Sequence, residues 1–192
     1  MSEIDVSFSP ELPVRKKRFS FITMLHEWII PFGIEILAVI AIIKFLFFFA
    51  YVPTGSMVPT IAEKSWIFST RVYNTDSIER GDILVFESDE LDIILIKRVI
   101  GLPGDKVEIR EGKVYIDDNG DNEFFLLDEP YVVNASRETL SFTVPENCYL
   151  FFGDNRAHSN DARLWRNPYI PAEKITGKAL FTFFPFKNFG TL

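Results

Sequence analysis

The chain has 192 residues, 20 Lys and Arg against 27 Asp and Glu, a formal net charge of -7 and 47% hydrophobic residues. This length fits one domain plus an attachment, and so apolar a composition excludes intrinsic disorder as the general state. A sequence pI near 4.9 argues against nucleic acid as a partner. One cysteine, Cys148, with only His26 and His158 beside it, supplies neither an internal disulfide nor a zinc ligand set.

The charge is unevenly spread. Residues 1–52 carry five basic and five acidic residues, while the other 140 carry 15 basic and 22 acidic ones, so the whole net charge lies after Val52. The basic cluster Arg15-Lys16-Lys17-Arg18 precedes a stretch from Trp28 to Val52 that is apolar apart from Glu35 and Lys44. A membrane span needs about 20 such residues. Two frames compete, 32–52 with Lys44 deep inside, and 28–46 with Lys44 near one end. The second is preferred, because a lysine near a helix end reaches the interface whereas one at the midplane costs about 3 kcal/mol. Trp28 then marks the opposite interface, and Glu35 is left without a partner. The positive-inside rule places residues 1–27, with a loosely structured tail at 1–14, in the cytoplasm and the remainder outside. A cleavable signal peptide is the rival reading, but Phe45 to Tyr51 lacks a small-x-small site. A buried helix of a soluble protein is the other alternative.

Beyond Ser65, apolar or alternating runs recur between turn signals and predict strands at 66–72, 83–86, 93–100, 107–109, 114–116, 140–144, 148–152 and 175–184. The expectation is a mainly β, antiparallel domain over 47–192, with 106–145 as a small β insertion. Glu111-Gly112 predicts a hairpin between 107–110 and 113–117. The acidic, Asn-rich stretch 117–138 reads as surface loops.

For chemistry, His26 precedes the span and cannot serve a site beyond it. His158 has Asp and Ser neighbours, so inventory admits a Ser-His-Asp set, but no nucleophile elbow accompanies it. A serine can also be activated by a neutral lysine. Ser56 sits in Thr54-Gly55-Ser56-Met57-Val58-Pro59-Thr60, directly after the apolar segment, and Lys97 sits in a strand apolar on both faces. Desolvation there disfavours the ammonium and suits a general base, a role closed to Arg98 on the opposite face. From the residues alone, Ser56 is equally a turn serine and Lys97 equally half of a structural ion pair.

Those segments do not stand alone. Ser56-Met57 with Pro59-Thr60 after a span, Gly81-Asp82-Ile83-Leu84-Val85-Phe86, then Lys97-Arg98-Val99-Ile100-Gly101-Leu102-Pro103-Gly104-Asp105, then Gly153-Asp154-Asn155-Arg156 with Ser159 and Asp161, follow one another in this order. Together they resemble type I signal peptidases of the bacterial, single-span kind, from about Glu27 to Phe184. The resemblance implies the antiparallel catalytic fold shared with self-cleaving repressors, one N-terminal transmembrane helix, and a membrane-bound serine endopeptidase of the plasma membrane that removes signal peptides from exported preproteins. It implies Ser56 as nucleophile and Lys97 as general base. Thr54 and the Ser56 N–H would form the oxyanion hole, Ser159 would orient the lysine, and Asp154, Asp161 and Arg163 would shape the site. Many members have Asp-Ser-Arg where this chain has Asp161-Ala162-Arg163. No metal or cofactor is implied, and a monomer is expected.

Substrates would carry small side chains at the first and third positions before the cut and bind by adding a strand to a sheet edge. A self-cleaving Ser/Lys hydrolase and a tethered β domain without catalysis are the alternatives. Core packing is the default for the 20 phenylalanines, but part of the surplus at Phe45, Phe47, Phe48 and Phe49 and at Phe181, Phe183, Phe184, Phe186 and Phe189 is expected to form an apolar surface resting on membrane lipid.

Overall fold

The computed structural model describes residues 21–192; the tail at 1–14 and the basic cluster at 15–18 lie outside the described residues. The chain divides into two units, Met1–Ile42 and Ile43–Leu192. A helix, α1, runs from residue 21 to 46 as Phe21–Met24, a π-helical turn at Leu25–Ile29, and Ile30–Leu46. It starts earlier than the sequence reading placed the span. Pro31 lacks an N–H and its ring crowds the carbonyl four residues back, and the wider π turn just before it accommodates both effects. Leu25–Leu46, 22 residues of mean hydropathy 2.4, is long and apolar enough to cross a membrane. At 1.5 Å per residue it reaches about 33 Å, against a hydrocarbon core of about 30 Å.

The second unit is built on an antiparallel sheet of β1 (Phe47–Val52), β2 (Ser65–Arg71), β3 (Ile83–Ser88), β4 (Ile93–Gly101), β9 (Cys148–Phe152), β10 (Tyr169–Pro171), β11 (Ile175–Phe184) and β12 (Gly190–Thr191). The order is β1-β2-β11-β3-β4-β9-β10, with β12 paired to β11. A second sheet, β7-β6-β5-β8, contains β5 (Lys106–Arg110), β6 (Lys113–Asp117), β7 (Phe125–Leu126) and β8 (Leu140–Thr143). The eight strands expected from sequence are present, and β1, β7, β10 and β12 are additional. The β5–β6 hairpin has the expected register, with Arg110 opposite Lys113 and positive φ at both Glu111 and Gly112, as its two-residue turn requires.

Two apolar clusters hold this unit together. The larger joins both sheets through Leu84, Phe86, Val99, Val107, Ile116, Phe142 and Phe151, with the Phe86 and Phe151 rings stacked 4.2 Å apart. The smaller contains Val52, Met57, Ile61, Ile67, Ile83, Val85 and Ala179 and lies beneath the loop carrying Ser56.

Candidate active site

The loop from Pro53 to Lys64 joins β1 to β2 and places Ser56 at its bend. Met57, next in sequence, and Ile61 are fully buried in the smaller cluster, and the Ile61 N–H donates to the Met57 carbonyl at 2.8 Å. Burying those two side chains fixes the loop and holds the hydroxyl of the neighbouring serine toward β4. Lys97 lies on β4, 3% exposed, with Nζ 2.6 Å from Ser56 Oγ. The Thr54 hydroxyl is 3.5 Å from Ser56 Oγ, on an exposed residue.

Burial lowers the Lys97 pKa from 10.5 to about 8, against smaller upward pulls from Asp161 and Asp154. Those pulls are modest because each carboxylate is matched by a guanidinium. Arg98 grips Asp154 with Nε to Oδ1 at 2.9 Å and Nη2 to Oδ2 at 2.7 Å, and the Thr60 hydroxyl donates to Oδ2 at 2.5 Å. Arg163 grips Asp161 at 2.8 and 2.9 Å, and Asp161 also accepts the Gly153 N–H at 2.9 Å. Such two-point pairs spread charge over both partners, so desolvation decides the protonation of Lys97.

Asp154, Asp161, Arg163 and Ser159 are therefore all buried around the Ser56–Lys97 pair. Ser159 departs from expectation. Its hydroxyl is buried and makes no hydrogen bond to Lys97 or to any other group among the described residues. A Cβ on Gly153 would meet Ser159 Oγ at 2.2 Å and the Ser56 carbonyl at 2.5 Å, so only glycine lets these two approach the same point. Ala162 replaces a hydroxyl with a methyl that is 1% exposed and packed in the larger core. His158 is exposed on a short 3-10 turn and its side chain makes no hydrogen bond among the described residues.

Several contributing groups escaped the sequence reading. The stretch 129–138, read there as surface loop, braces the site. Glu129 pairs with Arg156, and the Tyr131 ring lies 3.9 Å from the Arg98 guanidinium. Burial pushes the Tyr131 hydroxyl pKa up, with Glu129 adding to the rise. The Asn134 side chain donates to Asn155 Oδ1 at 3.1 Å, and Arg163 donates to Ser136 Oγ at 2.7 Å. These contacts join residues 21 to 33 positions apart with no sequence period, so none of them was visible beforehand. Gly112 was visible as a turn residue, but not the reason for its lack of side chain on the other face. A Cβ there would strike the Ser136 carbonyl at 2.0 Å.

A cleft of about 110 Å³ leads to the pair, lined by Ala50, Tyr51, Val52 and Thr54 on one side and Ile93 to Lys97 on the other. Both walls are unpaired strand edges among the described residues. β1 pairs only with β2, and β4 pairs with β9 only through Arg98 to Gly101. No cluster of His, Cys, Asp and Glu suited to a metal ion occurs among the described residues.

Residues 25–184 match the family described as signal peptidase, peptidase S26. A probable signal peptidase I-1 of Synechocystis sp. (strain ATCC 27184 / PCC 6803 / Kazusa) is 37% identical over 152 residues, covering 74% of each chain. Signal peptidase I of Bacillus licheniformis is 32% identical over 171 residues, covering 85% of this chain and 91% of that one. A solved signal peptidase I from Enterococcus faecalis V583 is 30% identical and aligns over 53% of this chain and 96% of that one, with a TM-score of 0.44. A family match across this much of the chain, reaching from the apolar helix through every segment that surrounds Ser56 and Lys97, shows that the chain belongs to the signal peptidase family, peptidase S26.

Proposed function

We propose that this chain is a membrane-anchored serine endopeptidase that cleaves signal peptides from exported preproteins after small-x-small motifs. The observation that carries this reading is the 2.6 Å approach of a buried lysine to a serine hydroxyl at the end of an open, strand-edged cleft. An extended substrate would pair with the free edges of β1 and β4, which brings its scissile carbonyl to Ser56.

Neutral Lys97 takes the Ser56 proton as Oγ attacks the carbonyl carbon. The oxyanion is held by the Thr54 hydroxyl and the Ser56 N–H, each such donor being worth about 3 to 4 kcal/mol in the transition state. The lysine ammonium then protonates the leaving amine, and the regenerated amine removes a proton from the water that hydrolyses the acyl-enzyme. Ser159 is assigned a later part. Its unsatisfied hydroxyl, at the back of the site, is an acceptor for the ammonium once Ser56 has turned to substrate. Asp154, Asp161 and Arg163 hold the surrounding frame.

Residues 1–27 are proposed to be cytoplasmic, the apolar helix to span the plasma membrane, 47–192 to be an extracytoplasmic, monomeric catalytic domain and 106–145 its insertion. The exposed aromatic face is proposed to rest on lipid.

The direct test is preprotein processing by the purified full chain in detergent. Ser56→Ala and Lys97→Ala are each expected to abolish cleavage, and unchanged processing in either would remove the catalytic reading. Since the amine must be neutral, the rate is expected to rise with pH through a midpoint near 8 rather than 10.5.

A further inference from the structure

Beside Ser56 the chain carries a second polar residue that donates both its backbone and its side-chain N–H to the nucleophile's backbone. Asn155 is 8% exposed. Its N–H donates to the Ser56 carbonyl at 3.0 Å, and its side-chain Nδ2 donates to the Gly55 carbonyl at 3.0 Å. A carbonyl only accepts, so the amide orientation is fixed by this contact, and Oδ1 is left to accept from Asn134 Nδ2 at 3.1 Å. Among the described residues the Gly55 carbonyl otherwise accepts only the Val58 N–H, at a longer 3.2 Å.

The Gly55 carbonyl and the Ser56 N–H belong to one peptide plane. That peptide is trans, so the N–H points away from whatever holds the carbonyl. The Ser56 N–H donates to no protein acceptor among the described residues, and Ser56 lines the cleft. We infer that Asn155, held in turn by Asn134 of the second-sheet segment, is a positioning residue that aims the Ser56 N–H at the developing oxyanion. This rests on the peptidase reading above and goes beyond it, because it gives the 106–145 segment a part in catalysis. Asn155 is not among the residues that line the cleft. It acts through the tilt of one peptide plane, where a misplacement of an ångström costs as much as 100-fold in rate.

The experiment uses the full chain in detergent with Asn155→Ala and Asn134→Ala. Cleavage of a signal-peptide substrate gives kcat and KM, and a peptide aldehyde, whose hemiacetal oxygen takes the oxyanion position, gives an inhibition constant. The expected result for Asn155→Ala is a fall in kcat on the order of 10- to 100-fold, KM within about twofold, an equal weakening of the aldehyde, and an unmoved basic limb of the pH profile. Asn134→Ala is expected to show the same pattern with a smaller fall of about 3- to 10-fold. Retained aldehyde affinity, or a shifted limb, would overturn the inference, since a structural or lysine-directed role produces one of those. Should Asn155→Ala fail to fold, Asn134→Ala decides by the same two readouts, and no change in either counts against it. Ser56→Ala run alongside separates the failures. Residual processing there removes the peptidase reading, whereas a dead Ser56→Ala with a fully active Asn155→Ala removes only this inference.

Discussion

Lys97 is the residue at which the physics of the fold becomes chemistry. A lysine 3% exposed favours its neutral form, and the carboxylates that could restore its charge are committed to Arg98 and Arg163. Releasing one carboxylate should reverse this. Arg163→Gln leaves Asp161 unpaired near the amine, so the basic limb of the pH-rate profile is expected to move above 8, with lower activity at neutral pH; a limb that stays or falls would contradict it. The same shift has a cost in stability. Between pH 8 and 10.5 the unfolded chain holds the lysine proton and the folded one does not, so stability rises with pH across that window, and the penalty is complete below 8. Lys97→Met is therefore expected to raise the melting temperature at pH 7 and to raise it less at pH 10, as thermal unfolding at the two values would reveal.

At the scale of elements, two segments without regular structure hold the site. The 53–64 loop is anchored by Met57, fully buried against Val52, Ile67 and Val85. Met57→Ala leaves a cavity beside the nucleophile and is expected to cost about 2 to 5 kcal/mol, measured by denaturant unfolding. The 129–138 strap is held by Glu129, whose side chain is 9% exposed against an Arg156 side chain 3% exposed. Glu129→Ala abandons a buried guanidinium and is expected to cost about 3 to 5 kcal/mol, with unfolding again the measurement. The loop spacing of Met57 and Ile61 could be read from sequence as apolar residues four apart. The strap could not, because its polar contacts reach residues 21 to 33 positions away in no repeating pattern.

Across the whole molecule, phenylalanine is divided between interior and surface in a way composition does not reveal. Phe48 was expected on the lipid face. Instead its ring packs where a Cβ on Gly177 would meet it at 2.4 Å, against the smaller core. Phe49, Trp66, Phe183 and Phe184 line an apolar hollow of about 390 Å³, with Phe186 and Phe189 exposed nearby in sequence. An aromatic patch of this kind suits an interface with lipid. Vesicle flotation of the 47–192 unit is expected to depend on Phe184 and Phe186. Serine at both positions should release the protein with its fold intact, and flotation that survives would refute the lipid reading. For orientation, protease added outside intact cells is expected to reach the β unit and to spare residues 1–14.

The sequence by itself determined the apolar helix, the antiparallel strands and the β5–β6 turn, because each rests on a local signal: an apolar run, apolar or alternating runs between turn residues, a Glu-Gly turn. The pairing of Ser56 with Lys97 was implied only by the resemblance of the motif order to that of a family. The helix ends at Leu46, where the preferred frame placed it, but is already helical at Phe21, earlier than expected. Nothing between Leu46 and Phe47 breaks a helix, and β1 begins there because its six residues find β2 across the sheet. Tertiary structure alone decided which carboxylate meets which arginine, the burial of a Ser159 hydroxyl with no hydrogen-bond partner among the described residues, and how Asn155 comes to hold the peptide ahead of the nucleophile. Those contacts join residues up to 100 positions apart, and their energy comes from burial that exists only once both sheets have closed over them.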